Sequence, residues 1–243
     1  MNNQTMQIGK VTSTWIYPFK GMQGIKLPEI KVKSVSVIGD RSRNLDLIRT
    51  NEVTSFVDTI KWPKLLEYIP YLVDPSNPKT SEVRVKTPLG HDYSADSEQL
   101  IAEIENKLGK KVTVSRMGRA AYHSMPVSLI SGASIQAISD RLGSVIDPRV
   151  FRMNVYLDCG AAPYAEESWL NKTITFGARE DGAQLIVIKL DERCATINLN
   201  PETGQPDPNI LKALVKEHGK TLGIYCLILK EGTIRSEDPI YIS

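Results

Sequence analysis

The second half of this chain is a succession of short apolar runs, and that succession restricts the fold more than any other feature. Residues 149–158 (RVFRMNVYLD), 173–177 (TITFG), 184–190 (QLIVIKL), 194–199 (CATINL), 222–229 (LGIYCLIL) and 239–242 (PIYI) each have the length of a strand and are too short for an apolar helix. Only occasional helical stretches separate them. Strands this closely spaced cannot alternate one for one with helices, so a doubly wound parallel sheet is excluded. The expected fold class is α+β: mainly β with a few helices, around a barrel-like core.

The first half is also largely β. Residues 6–16 roughly alternate apolar and polar before Pro18, and residues 30–38 (IKVKSVSVI) alternate almost strictly, as half-buried strands do. Three stretches carry helical spacing. Residues 96–109 place Leu100, Ile101, Ile104 and Leu108 on one face, with Asp96 or Ser97 as cap and Gly109 as stop. Residues 134–142 do the same with Ile135, Ile138 and Leu142, and Gly143 closes the pattern. The third is expected to be the best capped, with Asp207 ahead of Pro208 and Gly219 at its end. The polar, glycine-containing segment 115–125 is the candidate boundary between a β-rich lobe, 1–118, and a second unit, 119–243.

Charge narrows the partners. Lys and Arg number 30 against 28 Asp and Glu, and neither sign forms a long block, so neither a nucleic-acid surface nor a membrane surface is indicated. The expected partner is a small molecule. No run approaches the roughly 20 apolar residues of a spanning helix, and MNNQTMQIGK lacks the order of a signal peptide, so a cytoplasmic location is expected.

The chemistry-bearing residues are scattered. Cys159, Cys194 and Cys226 contain no CxxC pair, which argues against a disulfide framework, a zinc ribbon or an iron–sulfur cluster. Cys226 lies within an apolar strand and reads as a small buried hydrophobe, while Cys159 at a loop start is ambiguous. Cys194 differs because Arg193 precedes it and a polar turn follows, a setting that favours a thiolate; an inert, half-buried thiol is the alternative. His91, His123 and His218 share no ligand spacing. GxSxG, GxGxxG and GxxxxGK[ST] are all missing, so a serine hydrolase elbow, a dinucleotide fold and a P-loop are not signalled. What remains is a set of cations beside expected strand ends: Lys20, Arg41, Arg152 and Arg193. With a thiolate, they would suit a phosphorylated, metal-bearing ligand.

At these residues the chain resembles MOSC-domain proteins, the superfamily named for the C-terminal part of molybdenum cofactor sulfurase, and within it the amidoxime-reducing branch and its bacterial relatives. YPFKG at 17–21 is similar to YPVKS, GDR at 39–41 to a DR dipeptide, and SMPVSLISGASI at 124–135 to S-P-x-x-x-x-S-x-A-S-L. FRMN at 151–154 is similar to FRPN, YAEESW at 164–169 to YAEDSW, and Arg193-Cys194 followed by NPETG at 200–204 to RC followed by DPDTG. EGTIRSEDPIYI resembles a closing GTIKVGDPVYL.

The resemblance implies a MOSC-type β-barrel in 119–243, an accompanying N-terminal lobe in 1–118, and a cofactor pocket shared between them. It implies that Cys194 is the metal ligand and the catalytic residue of a molybdenum cofactor, a Mo-molybdopterin. Lys20, Arg41, Arg152 and Asn154 would hold the pterin and its phosphate, Ser124 would fall where the family has a hydroxyl, and Arg193 would keep the thiol ionised and the anionic cofactor in place. The implied activity is oxygen-atom removal from N-hydroxylated or N-oxide substrates. Electrons would come from a separate ferredoxin-, flavodoxin- or cytochrome-like protein. A sulfur-carrier or cofactor-delivery module is the alternative, and a non-catalytic binding protein on the same fold is a third. Departures bear on the site: Gly21 replaces a serine, Met125 a hydroxyl and Glu192 a serine, and the T-x-R-Q pattern after Thr54 is degraded.

Overall fold

Alternating burial marks the first strand: in β1, Met6–Ile16, the side chains of Val11, Thr14 and Ile16 turn inward. The computed structural model describes residues 6–50, 52–116, 124–160 and 162–243. Six further strands assemble with β1: β2 (Val127–Ser131), β3 (Val155–Asp158), β4 (Thr173–Phe176), β5 (Gln184–Glu192), β6 (Thr221–Lys230) and β7 (Pro239–Ile242). Their order is β3-β2-β6-β5-β4-β7-β1, and β1 pairs back onto β3, which closes a seven-stranded barrel; Ile25–Leu27 extends the sheet beyond β1. All neighbours in the barrel are antiparallel except β2 and β3. That parallel pair needs a crossover, supplied by the helix between the two strands.

The three helices lie close to the expected spans. α1 covers Glu98–Leu108, and Ser97 accepts from the Leu100 N–H at 3.3 Å. α2, Gly132–Leu142, starts before residue 134 because Ser131 caps it. α3, Asn209–His218, has divided capping: Asp207 accepts from the Asn209 N–H at 3.0 Å, and Asn198 accepts from the Leu211 N–H at 2.8 Å.

Three expected strands are corrected. Residues 30–38 do not run straight: Ser34 takes a left-handed conformation (φ +51°), giving a hairpin of Glu29–Lys33 and Ser36–Val37. Residues 149–158 begin as a 3₁₀ turn, Pro148–Phe151, because Asp147 caps it and Pro148 is preset for its first position; only Val155–Asp158 is strand. Residues 194–199 hold a 3₁₀ turn, Ala195–Asn198, rather than a strand. Its Ile197 must enter the cluster beneath α3, and its Asn198 must reach the start of that helix.

One buried cluster joins barrel residues such as Val11, Leu129, Val187 and Ile240 to Leu45, Leu65, Leu100 and Ile104 of the first half, so the two halves share a core. A second cluster packs α2 and α3 against both 3₁₀ turns through Ile138, Phe151, Ile197, Ile210 and Leu214. The expected boundary after residue 118 lies outside the described residues. Among the described residues no helix is long and apolar enough to cross a membrane.

Candidate functional site

A cavity of about 220 Å³ opens where the first half meets the end of β5. Lys20, Arg41, Phe56, Arg152, Arg193 and Cys194 are among its lining residues, so side chains far apart in sequence converge there. The rim carries the partly exposed Phe56 and Ile60. Irregular pairing of β5 with β6 between Leu190 and Glu192 bends the strand end that delivers Arg193 and Cys194.

The cations fall into two kinds. Arg41 and Arg193 are paired with buried aspartates. The Arg41 guanidinium contacts Asp40, which is fully buried and also accepts from the Tyr17 N–H at 2.7 Å. Burial works against the Arg41 charge, but Asp40 together with Tyr17 and Tyr225 outweighs it and the pKa ends above its ordinary value. Arg193, expected to keep the thiol ionised and an anionic cofactor in place, lines the cavity while its guanidinium is committed to groups of the protein. It pairs with Asp191, donates to the Phe151 carbonyl at 2.6 Å and meets Met153 Sδ at 3.4 Å. Burial raises the Asp191 pKa against the opposing pull of Arg193, and burial together with Asp191 pushes Tyr225 up to about 12. Glu192, the charge that departs from the family pattern, is held by Lys220 at 2.8 Å.

Lys20 and Arg152 are the other kind. Among the described residues neither makes an ion pair, and each sits on an aromatic ring: Lys20 Nζ is 4.0 Å from the Phe56 centroid and Arg152 Cζ is 4.4 Å from that of Tyr17. Arg41 lies 5.0 Å from the same Tyr17 ring. Burial, then Arg41, lowers the pKa of Lys20; burial also lowers that of Arg152. Both Arg41 (φ +44°) and Arg152 (φ +54°) are left-handed, a conformation that costs a non-glycine residue energy and tends to cluster at functional sites.

Cys194 precedes the Ala195–Asn198 turn with its side chain exposed at the cavity, and its Sγ lies 3.3 Å from Thr196 Oγ1. Cys226 is buried in β6, and Cys159 is half-buried with its thiol pushed up to about 12 by burial and by Glu166. Among the described residues no three His, Cys, Asp or Glu side chains are grouped to hold a metal. His91 and His218 pair with Glu103 and Glu167, both at 2.9 Å; His123 lies outside the described residues.

Two proposed site residues are not brought to the lining. Asn154 is buried behind it, accepting from Ser128 Oγ at 3.0 Å and donating to the Trp15 carbonyl at 3.3 Å, so it ties β1, β2 and β3 together. Ser128 takes the place in the wall. Ser124 is half-buried and accepts from Lys189 at 3.4 Å. Sequence reasoning passed over Tyr17, Phe56, Asp191 and Tyr225. For Tyr17 the signal was an aromatic ring just ahead of PFKG; for Asp191, a carboxylate two residues before Arg193.

The departure at Gly21 has a packing cause. Gly21 is left-handed (φ +88°), and a Cβ there would lie 2.5 Å from Leu65 Cδ2. Leu65 belongs to the 3₁₀ turn Pro63–Glu67, on which the Asn200–Gly204 turn also rests: a Cβ on Gly204 would lie 2.3 Å from the Pro63 carbonyl oxygen.

Residues 116–241 match the sequence model of the MOSC domain. The chain is 22% identical to mitochondrial amidoxime-reducing component 1 of Mus musculus, over 97% of this chain and 83% of that protein. The crystal structure of the YuaD protein from Bacillus subtilis superposes with a TM-score of 0.53 at 14% identity, covering 98% of this chain and 97% of the other, a likeness of fold.

Proposed function

The chain belongs to the MOSC-domain family, and on that premise we propose that it binds a molybdenum cofactor in the cavity between Lys20, Arg152 and Cys194 and reduces N-hydroxylated or N-oxide compounds. The carrying observation is the combination, in one cavity, of an exposed thiol with two cations that have no carboxylate partners among the described residues. A thiolate is a soft ligand suited to molybdenum, and ammonium and guanidinium groups suit a phosphate. Arg193 lines the same wall, and among the described residues its buried Nε has no hydrogen-bond partner. These groups fit a metal-bearing, phosphorylated pterin. At about 220 Å³ the cavity is smaller than the roughly 300–1,000 Å³ of common ligand sites, so such an occupant would extend past the rim at Phe56 and Ile60.

When bound, the cofactor would supply a two-electron redox centre. The chain's own part is to hold it: Cys194 offers its sulfur, Lys20 and Arg152 bind anionic oxygens, and Arg41 is fixed by Asp40 to brace the Arg152 backbone through a 3.1 Å hydrogen bond. Ser128, Thr196 and Tyr225 supply hydroxyls to the lining. Overall, reduction of an N–OH group takes two electrons and two protons and releases water. The relative's name as an amidoxime-reducing component supports this substrate class.

Elemental analysis for molybdenum, pterin detection after oxidation, and turnover of a hydroxylamine with an artificial one-electron reductant test the proposal. Stoichiometric molybdenum with turnover is expected. A metal-free protein after expression in a cofactor-producing host would overturn it, and bound molybdenum without turnover would favour the delivery module.

A further inference from the structure

All four lining cations among the described residues lie over aromatic rings, but Arg41 and Arg193 also pair with carboxylates, and that difference has a chemical meaning. A carboxylate neutralises the charge it pairs with, as Asp40 does for Arg41 and Asp191 for Arg193. An aromatic face attracts a cation through its quadrupole and leaves its net charge and its N–H donors available. Lys20 and Arg152, the lining cations without ion pairs among the described residues, both rest on rings.

We propose that Phe56 is a positioning residue whose ring seats the Lys20 ammonium toward the cavity without neutralising it, so that the site keeps a whole positive charge for a phosphate-bearing anion. This rests on taking the cavity as an anion site. Phe56 ends the strand Glu52–Phe56, at the edge of a three-stranded sheet and in register with Asp46. The ring belongs to neither buried cluster and is 38% exposed, so the core does not account for it. A second lysine, Lys61, lies farther off, at 5.8 Å from the centroid, and already has Asp58 at 3.3 Å. Lys20 is the nearer cation, and its backbone is fixed by a 2.9 Å hydrogen bond to the Arg43 carbonyl. A ring at residue 56 thus supplies attraction where a carboxylate would cancel the charge.

The test uses the full chain freed of metal and pterin, with inorganic pyrophosphate as probe and the ligand-dependent rise in melting temperature as readout. Phe56→Leu keeps apolar bulk and removes the quadrupole, Phe56→Trp strengthens it, and 3,4,5-trifluorophenylalanine at this position keeps the shape while weakening it. The wild type and Phe56→Trp are expected to bind alike, whereas Phe56→Leu and the fluorinated protein should need about three- to tenfold more pyrophosphate for the same rise. Lys20→Met serves as the control that loses the interaction altogether. Equal binding by Phe56→Leu and wild type, or equal loss in Phe56→Trp and Phe56→Leu, overturns the seat while leaving the anion site standing. A wild type that pyrophosphate does not stabilise, or that Lys20→Met matches, overturns the anion site as well.

Discussion

Arg41 donates from Nη2 to the backbone carbonyl of Arg152 at 3.1 Å, across 111 positions of sequence. Both residues hold left-handed backbones, so one strained residue supports the other. The bond uses the Arg152 backbone and leaves its guanidinium free, which separates two properties of the residue. Arg152→Gly should relieve the strained φ and remove the cation in one change. Stability is expected to stay within about 1 kcal/mol of wild type in urea unfolding, while cofactor retention falls about ten- to a hundredfold.

Asp191→Asn should be far more damaging than its conservative appearance suggests. Arg193 is 6% exposed and would lose its buried carboxylate partner. A loss of about 3–5 kcal/mol is expected by urea denaturation, with recovery in Asp191→Asn/Arg193→Met, where no charge is left stranded.

The cysteines should divide cleanly. Cys194→Ser leaves the fold intact because the side chain is exposed, and should abolish metal content and turnover together. Cys226→Ala, in β6, should cost about 1–3 kcal/mol and leave both unchanged. Normal turnover by Cys194→Ser would defeat the assignment of that sulfur as metal ligand.

Alkaline pH should weaken anion binding before an ordinary lysine site would fail. Burial, then Arg41, lowers the pKa of Lys20, whereas the Arg152 guanidinium stays charged throughout, so Lys20 is the group whose charge is lost first. Affinity for pyrophosphate should therefore be steady near neutrality and begin to fall at a lower alkaline pH than an ordinary lysine site would, as Lys20 loses its proton. The contribution of Lys20 to folding has the opposite sign. Its folded pKa lies below the unfolded one, so the unfolded chain binds more protons in that interval and the Lys20 burial penalty fades as pH rises. Melting curves with and without pyrophosphate, from about pH 7 to about pH 11, should draw together toward the alkaline end.

Electrons should require a second protein. Three separate cysteines cannot supply the usual four ligands of an iron–sulfur cluster, and the chain carries neither a GxGxxG fingerprint nor another dinucleotide signal. Cofactor-loaded protein with a hydroxylamine should be inert with NADH alone and active with an artificial one-electron reductant. Full activity with NADH and no partner would refute the requirement.

Residues whose pattern depends on burial alone were the legible ones. The alternation in 6–16 and the apolar runs at 184–190 and 222–229 became β1, β5 and β6 because one face of each meets the core. Periodicity has no access to the sign of φ, so the turn at Ser34 interrupted an unbroken HPHP pattern. CATINL alternates as a strand would, yet Asn198 is needed at the start of α3, and a strand could not bring it there. Asp147-Pro148, by contrast, was a readable start signal for the turn before Arg152. In the site, the converging cations were recognisable by motif, but which of them keeps a free charge was not. That depends on Asp40, Asp191, Tyr17 and Phe56, neighbours in space or close in sequence whose orientation only packing decides.

The strand that closes the barrel has a temporal consequence. β1 lies between β3 and β7, pairing Lys10 with Asp158 on one side and Met6 with Ile242 on the other. β1 is synthesised before the other barrel strands, and β7 after them, so β1 must wait for β7 before its second edge is covered. Until then the Met6–Lys10 part of its edge is open to pairing with other chains. Nascent protein is therefore expected to depend on a holdase during synthesis, and refolding from urea to be slow, since so many contacts join residues distant along the chain.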